Sequence, residues 1–216
     1  MENLAFNPLT EFVVSYGDIV ELGLETIHTD EYKDLILNHP GWRQYNSYKD
    51  GYNRYGLSIT SLDGGYSGVP DLESLSQYYK ETGKLYYEQD FKVRTPLSYE
   101  IPAVSELCDL FGDDLCRSHF LRLDKGGFFP PHRDHIFRLP NDMFRILVPF
   151  YNFHSSNMSW IFDGKVVQLR EGNTYFMNTT KTHSLFSYTD GCTMLVLNVR
   201  STEDTMKRLI RKMRVH

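Results

Sequence analysis

The chain has 216 residues, with 23 Lys and Arg against 28 Asp and Glu, for a formal net charge of −5. An acidic balance of this kind gives no electrostatic footing to nucleic acid, and no apolar run reaches the length of a membrane span. Three cysteines, Cys108, Cys116 and Cys192, form neither an even disulfide set nor a zinc spacing.

A reducing compartment is the default for such a chain. The N-terminus "MENLAFNPLTEF" lacks the basic-then-apolar pattern of a secretory signal, so the expected location is the cytoplasm. The length suits one domain with a sizeable core. Three parts are expected within it: a mixed, largely helical 1–115, a β-rich core over 116–200, and a terminal helix over 201–216.

In chain order, residues 30–37 predict a short helix stopped by Pro40 and Gly41. Residues 70–83 predict a longer one, with Asp71 as N-cap, Leu72, Leu75 and Tyr79 at helical spacing, and Gly83 as the stop. Residues 101–112 repeat that form, with Pro102 early and Gly112 at the end. From about 118 to 200 short apolar runs alternate with turn residues. Asp163-Gly164 and Asp190-Gly191 are the strongest hairpin signals. Many short strands at such spacing predict a sandwich or closed barrel, including the jelly roll. In the last segment Ser201 and Asp204 predict a capping box, and Met206, Leu209, Ile210 and Met213 line one face. That helix is expected to pack on the barrel, with a dimer contact as the alternative.

The stretch "GGFFPPHRDHIF" (126–137) carries a His-x-Asp pair, His132 and Asp134. With 8 His in the chain, about 0.6 such pairs arise by chance, and His28-Thr29-Asp30 is a second. Context separates them. His28 has no strand before it. His132 follows a strand and a Gly-Gly turn and is expected to open the next strand. There, side chains two apart share a face. Ferrous iron accepts two imidazoles and one carboxylate on one octahedral face. His183, at the head of the run "HSLFSY" several strands later, is the candidate third ligand.

The segments "FLRLDKGGFFPPHRDH", "FRILVPFYN", "LREGNTYFMNTTKTHSLFS" and "GCTMLVLNV", in that order, resemble the 2-oxoglutarate/iron(II)-dependent oxygenases. Within that superfamily the segments look like those of the aspartyl/asparaginyl β-hydroxylase-like and proline hydroxylase group. The resemblance covers roughly 117–200 and implies a double-stranded β-helix (jelly roll, cupin-like). It also implies Fe(II) held by His132, Asp134 and His183, with oxidative decarboxylation of 2-oxoglutarate coupled to hydroxylation by O₂. An aspartate in the triad argues against halogenation. Members carry a basic residue about ten positions beyond the second His, which binds the distal carboxylate of 2-oxoglutarate; here that position is Thr193. Arg200 lies seven residues further and on the other face, so it is not the substitute. Arg145, four residues before Pro149, is the better candidate, Arg122 the next, and Asn178 a possible hydrogen-bonding contact. The substrate implied is a small molecule, an amino acid or a protein side chain. Two alternatives stay open: a cupin-type metalloenzyme without 2-oxoglutarate, and a non-catalytic jelly-roll module binding a ligand. Asp163 and Asp190 are read as turn residues, His135 and His154 as loop residues, and Trp160 and Tyr175 as core.

Overall fold

The computed structural model describes residues 8–134 and 143–214. Helix α1 (Pro8–Tyr16) leads into β1 (Ile19–Glu21), then a 3-10 turn and α2 (Lys33–Leu37). Strands β2 (Arg43–Gln44), β3 (Arg54–Ser58) and β4 (Thr60–Ser61) follow, then α3 (Leu75–Thr82), β5 (Val93–Arg94), α4 (Leu97–Glu100) and α5 (Pro102–Phe111). The β-rich part holds β6 (His119–Leu123), β7 (Phe128–His132), β8 (Met143–Tyr151), β9 (Met158–Phe162), β10 (Lys165–Val166), β11 (Tyr175–Met177), β12 (His183–Ser187) and β13 (Cys192–Arg200). Helix α6 (Glu203–Lys212) ends the described chain. Among the described residues no helix is long and apolar enough to cross a membrane.

Two antiparallel sheets face each other. The large one runs β1-β11-β8-β13-β6-β3-β2 and the small one β10-β9-β12-β7. From β6 onward consecutive strands pass between the sheets, as in a jelly roll, except at the β9–β10 hairpin. The large sheet is not confined to 116–200, because β1, β2 and β3 extend it at both edges. One apolar cluster, including Leu121, Leu147, Trp160, Met177, Leu185 and Met194, fills the space between the sheets. The other, including Phe120, Phe144, Phe176 and Leu195, packs the far face of the large sheet against the helices. Strand alternation produces this split, since neighbouring residues such as Phe120 and Leu121 point to opposite faces.

Asp163-Gly164 does close a hairpin. Both residues have positive φ, and Phe162 pairs with Lys165, the geometry of a type I′ turn. Asp190-Gly191 does not. It joins β12 of the small sheet to β13 of the large one, so it is a corner. Its side chain is a latch: Asp190 Oδ1 accepts from Lys125 N, while Asp124 Oδ1 accepts from Gly191 N. The helix predicted from residue 70 starts five residues later, at Leu75, with Ser74 as N-cap and Gly83 as the left-handed stop. Asp71 is instead buried and accepts from Ser58 Oγ, and Leu72 packs against Gly56. Helix α6 is capped by Thr202, not Ser201: its hydroxyl accepts from Thr205 N, and Thr205 Oγ1 accepts from Thr202 N. Met206 and Leu209 are buried on the barrel side.

Candidate metal centre

Strand β7 sets the site. It is entered through Gly126 (φ +79) and Gly127. A Cβ at Gly127 would stand 2.5 Å from Asn53 O and 2.7 Å from Asp124 O, so only glycine lets the backbone pass. The strand ends at His132 rather than opening there, and Asp134 lies beyond its end. The shared-face argument therefore does not place the carboxylate. A backbone contact does: Asp134 N donates to Thr179 O at 2.9 Å. Asn178 supports that loop through Asp18, with Nδ2 donating to Asp18 Oδ1 at 2.7 Å, and its own Oδ1 accepts from Thr180 Oγ1. Strand β12 lies beside β7 with His183 registered opposite His132.

His132, Asp134 and His183 offer ligand atoms that all lie within 4.8 Å of one another, and no other such trio is found among the described residues. Asp134 Oδ1 is 3.7 Å from His132 Nε2, and Oδ2 is 3.8 Å from His183 Nε2. Each imidazole is oriented through its other nitrogen. His132 Nδ1 meets Pro130 O at 2.7 Å and His183 Nδ1 meets Lys181 O at 2.9 Å. Donation from Nδ1–H to a carbonyl leaves Nε2 bare and aimed inward, the usual support of a metal-binding histidine. The set fits a divalent first-row metal of the ferrous type on its donor chemistry.

Arg145, on β8, completes the cluster. Its Nη1 is 3.0 Å from Asp134 Oδ2, with Asp134 13% and Arg145 28% exposed at the side chain. Burial pushes the Asp134 carboxyl up, but the Arg145 charge, then His183 and His132, outweigh it and hold it below the ordinary carboxylate range. Burial pushes His183 below its ordinary value, which favours the neutral, ligating form.

The His132 and His183 rings open on a small cavity of about 50 Å³, lined also by Tyr45, His119, Leu147, Trp160, Met177 and Val196 among others. A larger cleft of about 340 Å³, between the 24–32 segment and α5, gathers no metal-ligating set. Two polar groups in the small cavity escaped the sequence reading. His119 is 6% exposed, its Nδ1 has no hydrogen-bond partner among the described residues, and burial with the Arg117 and Arg145 charges pushes it down to about 3, so it is neutral. Trp160, read as core, is that and a cavity wall too, with Nε1 unpartnered among the described residues. Nothing at either position marked them in sequence, because their roles depend on which sheet face they occupy.

The remaining candidates lie elsewhere. Arg122 and Thr193 are cross-strand partners on the face of the large sheet that points away from the cavity, where Leu121 and Met194 point inward. Arg122 sits over Trp42 and Tyr55 and pairs with Asp124 at 3.3 Å, and the Thr193 hydroxyl donates to Gly191 O. Neither lines the cavity, and Asn178 acts on the loop rather than in it. Arg200 pairs with Asp114. His28 and His154 are exposed, and His135 lies outside the described residues. Tyr175 is buried core.

No protein-family model matches the chain, and no curated protein sequence does. Among solved structures, an oxidoreductase of the 2OG-Fe(II) oxygenase family from Burkholderia pseudomallei superposes with a TM-score of 0.50 at 12% identity, over 92% of this chain and 93% of that one. A sugar phosphate isomerase from a cupin superfamily, from Silicibacter pomeroyi, gives 0.35 at 12% identity over 73% of this chain and 70% of that one. An RmlC-like cupin from Shewanella frigidimarina gives 0.31 at 16% over 42% and 70%. At 12% identity the first of these likenesses concerns architecture alone, and it agrees with the sheet topology: the chain has a jelly-roll fold.

Proposed function

We propose that this chain is an Fe(II)- and 2-oxoglutarate-dependent oxygenase that hydroxylates a small organic substrate or a protein side chain. The observation that carries the reading is the convergence of two bare Nε2 atoms and one partly buried carboxylate at the end of β7 and β12, beside a guanidinium. Bound there, ferrous iron with 2-oxoglutarate would supply O₂ activation. The protein's own part is positional and electrostatic. His132 and His183 are fixed in the ligating tautomer by backbone carbonyls, and Asp134 supplies the negative charge. Arg145 offers a forked cation suited to a carboxylate, and Leu121, Leu147, Met177 and Met194 keep the surroundings apolar. The inner face of β13 presents Met194 and Val196, so the positive charge for the co-substrate is assigned to Arg145 on β8.

One observation favours a second reading, a cupin-type metalloenzyme that uses no 2-oxoglutarate: β13 puts no cation into the cavity. Anaerobic protein loaded with Fe(II) and titrated with 2-oxoglutarate separates the two. The oxygenase reading expects a visible charge-transfer band that His132→Ala abolishes and that Arg145→Met moves to higher 2-oxoglutarate concentration. Stoichiometric iron without such a band would sink the 2-oxoglutarate reading and leave the cupin one. No stoichiometric metal would sink both.

A further inference from the structure

Arg54 is 2% exposed, on β3. The register pairs Arg54 with Leu123, Gly56 with Leu121 and Ser58 with His119. Leu121 and His119 line the cavity, so Arg54 projects from the same concave face, where β3 and β2 face the edge strand β7. Its guanidinium carbon lies 4.2 Å from the Phe129 ring centre, 4.5 Å from Tyr52 and 6.0 Å from Tyr45. Tyr45 and Phe129 both line the metal cavity, and Phe129 stacks on His132 at 6.0 Å.

No carboxylate pairs with Arg54 among the described residues. Other arginines differ: Arg94 pairs with Asp109, Arg117 with Glu88, Arg145 with Asp134 and Arg200 with Asp114. Stacking occupies the faces of the Arg54 guanidinium but not its in-plane N–H groups. Two of these, on Nε and Nη2, are buried without a hydrogen-bond partner among the described residues. Nε–H and Nη2–H form one edge of the fork, and that edge matches the two oxygens of a carboxylate. A buried cation left in this state is costly unless something anionic arrives.

Arg54 itself lies behind the cavity lining, against Phe129, and we propose that it is a receptor for the carboxylate of an organic acid that extends from the cavity past that ring. The acid's reactive carbon then stands several bonds from that carboxylate, because the Phe129 ring separates Arg54 from His132. The catalytic consequence rests on the oxygenase reading; binding of the carboxylate does not. Two acids carry the required group, the primary substrate and 2-oxoglutarate itself.

The test reads the orphan N–H directly. Protein labelled with ¹⁵N-arginine and freed of metal by EDTA is titrated with acetate, butyrate and glutarate, and the Arg54 Nε–H resonance is identified by its loss in Arg54→Lys. A saturable downfield shift with at least one acid, absent with sodium chloride at equal ionic strength, is expected. Calorimetry should show about 10- to 100-fold weaker binding in Arg54→Met, as for loss of a charge-assisted hydrogen-bonded pair, with Arg54→Lys between. A resonance that none of the three acids moves would overturn the proposal and leave Arg54 as a stacked structural cation. Protein loaded with Zn(II) and 2-oxoglutarate then separates the sources. Loss of the glutarate or butyrate response there assigns the site to 2-oxoglutarate, and its persistence assigns it to the substrate. Failure of 2-oxoglutarate to bind would count against the oxygenase reading alone, because the metal-free titration stands without it.

Discussion

Neutralising Asp134 separates the two tasks the structure gives it. In metal-free protein its carboxylate balances Arg145 at 3.0 Å in a site where the acid is 13% and the arginine 28% exposed. Breaking a fully buried pair costs about 3–5 kcal/mol and an exposed one about 0–1 kcal/mol. The partial exposure of Arg145 puts Asp134→Asn between them, at about 2 kcal/mol. For a chain of this size each kcal/mol shifts Tm by about 2–4 °C, so a fall of roughly 4–8 °C in EDTA is expected. Arg145→Met should remove the same interaction, and the double variant should lose clearly less than the sum of the singles. The sign of the pH dependence follows from the direction of the Asp134 shift. Its folded carboxyl titrates below the ordinary value of about 3.9. Its contribution is therefore present above that value and lost as pH falls through the folded one, so the cost of Asp134→Asn is steady near neutrality and shrinks in acid. With Mn(II) at a hundred times its Kd, wild type should gain about 2.7 kcal/mol and Asp134→Asn much less. Urea denaturation of all four proteins, with EDTA and with Mn(II), measures these terms. Singles that add to within about 0.5 kcal/mol would refute the pairing, and an unchanged metal response in Asp134→Asn would refute its role as a ligand.

Three further outcomes are expected. His119 is neutral in the fold and titrates near 3, against about 6.5 unfolded. Between those values the unfolded chain alone takes up the proton, so stability falls as pH drops through this window, and His119→Gln should flatten the decline in urea midpoints measured from pH 7 to 4.5. Gly127→Ala forces a Cβ onto two carbonyl oxygens at 2.5 and 2.7 Å. It should cost about 1–3 kcal/mol and weaken Mn(II) binding by displacing β7, and unaltered binding in calorimetry would contradict that coupling. Arg122→Met, on the far face, should leave Mn(II) and 2-oxoglutarate affinities within twofold of wild type; a larger loss of either would overturn the face assignment.

The strands were legible where one local rule governs them. Asp163-Gly164 announces a two-residue turn, and the glycine pair at 126–127 and the polar loop before His183 mark the approaches to the candidate metal ligands. What sequence could not resolve was which sheet each strand joins. Asp190-Gly191 has hairpin chemistry yet turns a corner, because this connection passes from one sheet to the other and the local backbone need is the same. Asp71 has N-cap chemistry, but Ser58 and Ser67, brought near by tertiary packing, take up its carboxylate. Arg54 and His119 carried no local signal at all. Their inward aim depends on β3 pairing with β6 across more than sixty residues of chain.

The same logic of faces bears on Thr193. Counting along the chain makes its lack of charge look like a missing part, but the register turns it away from the cavity, opposite Arg122, with its hydroxyl on Gly191 O. An arginine there would meet Arg122 on the helix-packed side of the sheet rather than a ligand. The inward neighbours Met194 and Val196 are apolar. Cationic side chains reach the concave side from two other strands, Arg145 beside the acid of the metal set and Arg54 behind Phe129. A carboxylate held by either would lie inside the apolar shell, where a charge-assisted pair is stronger than in water. On the proposed reading, an acid would be gripped from β8 and β3 rather than from β13, and the distance from the grip to the metal would select the carbon presented for reaction.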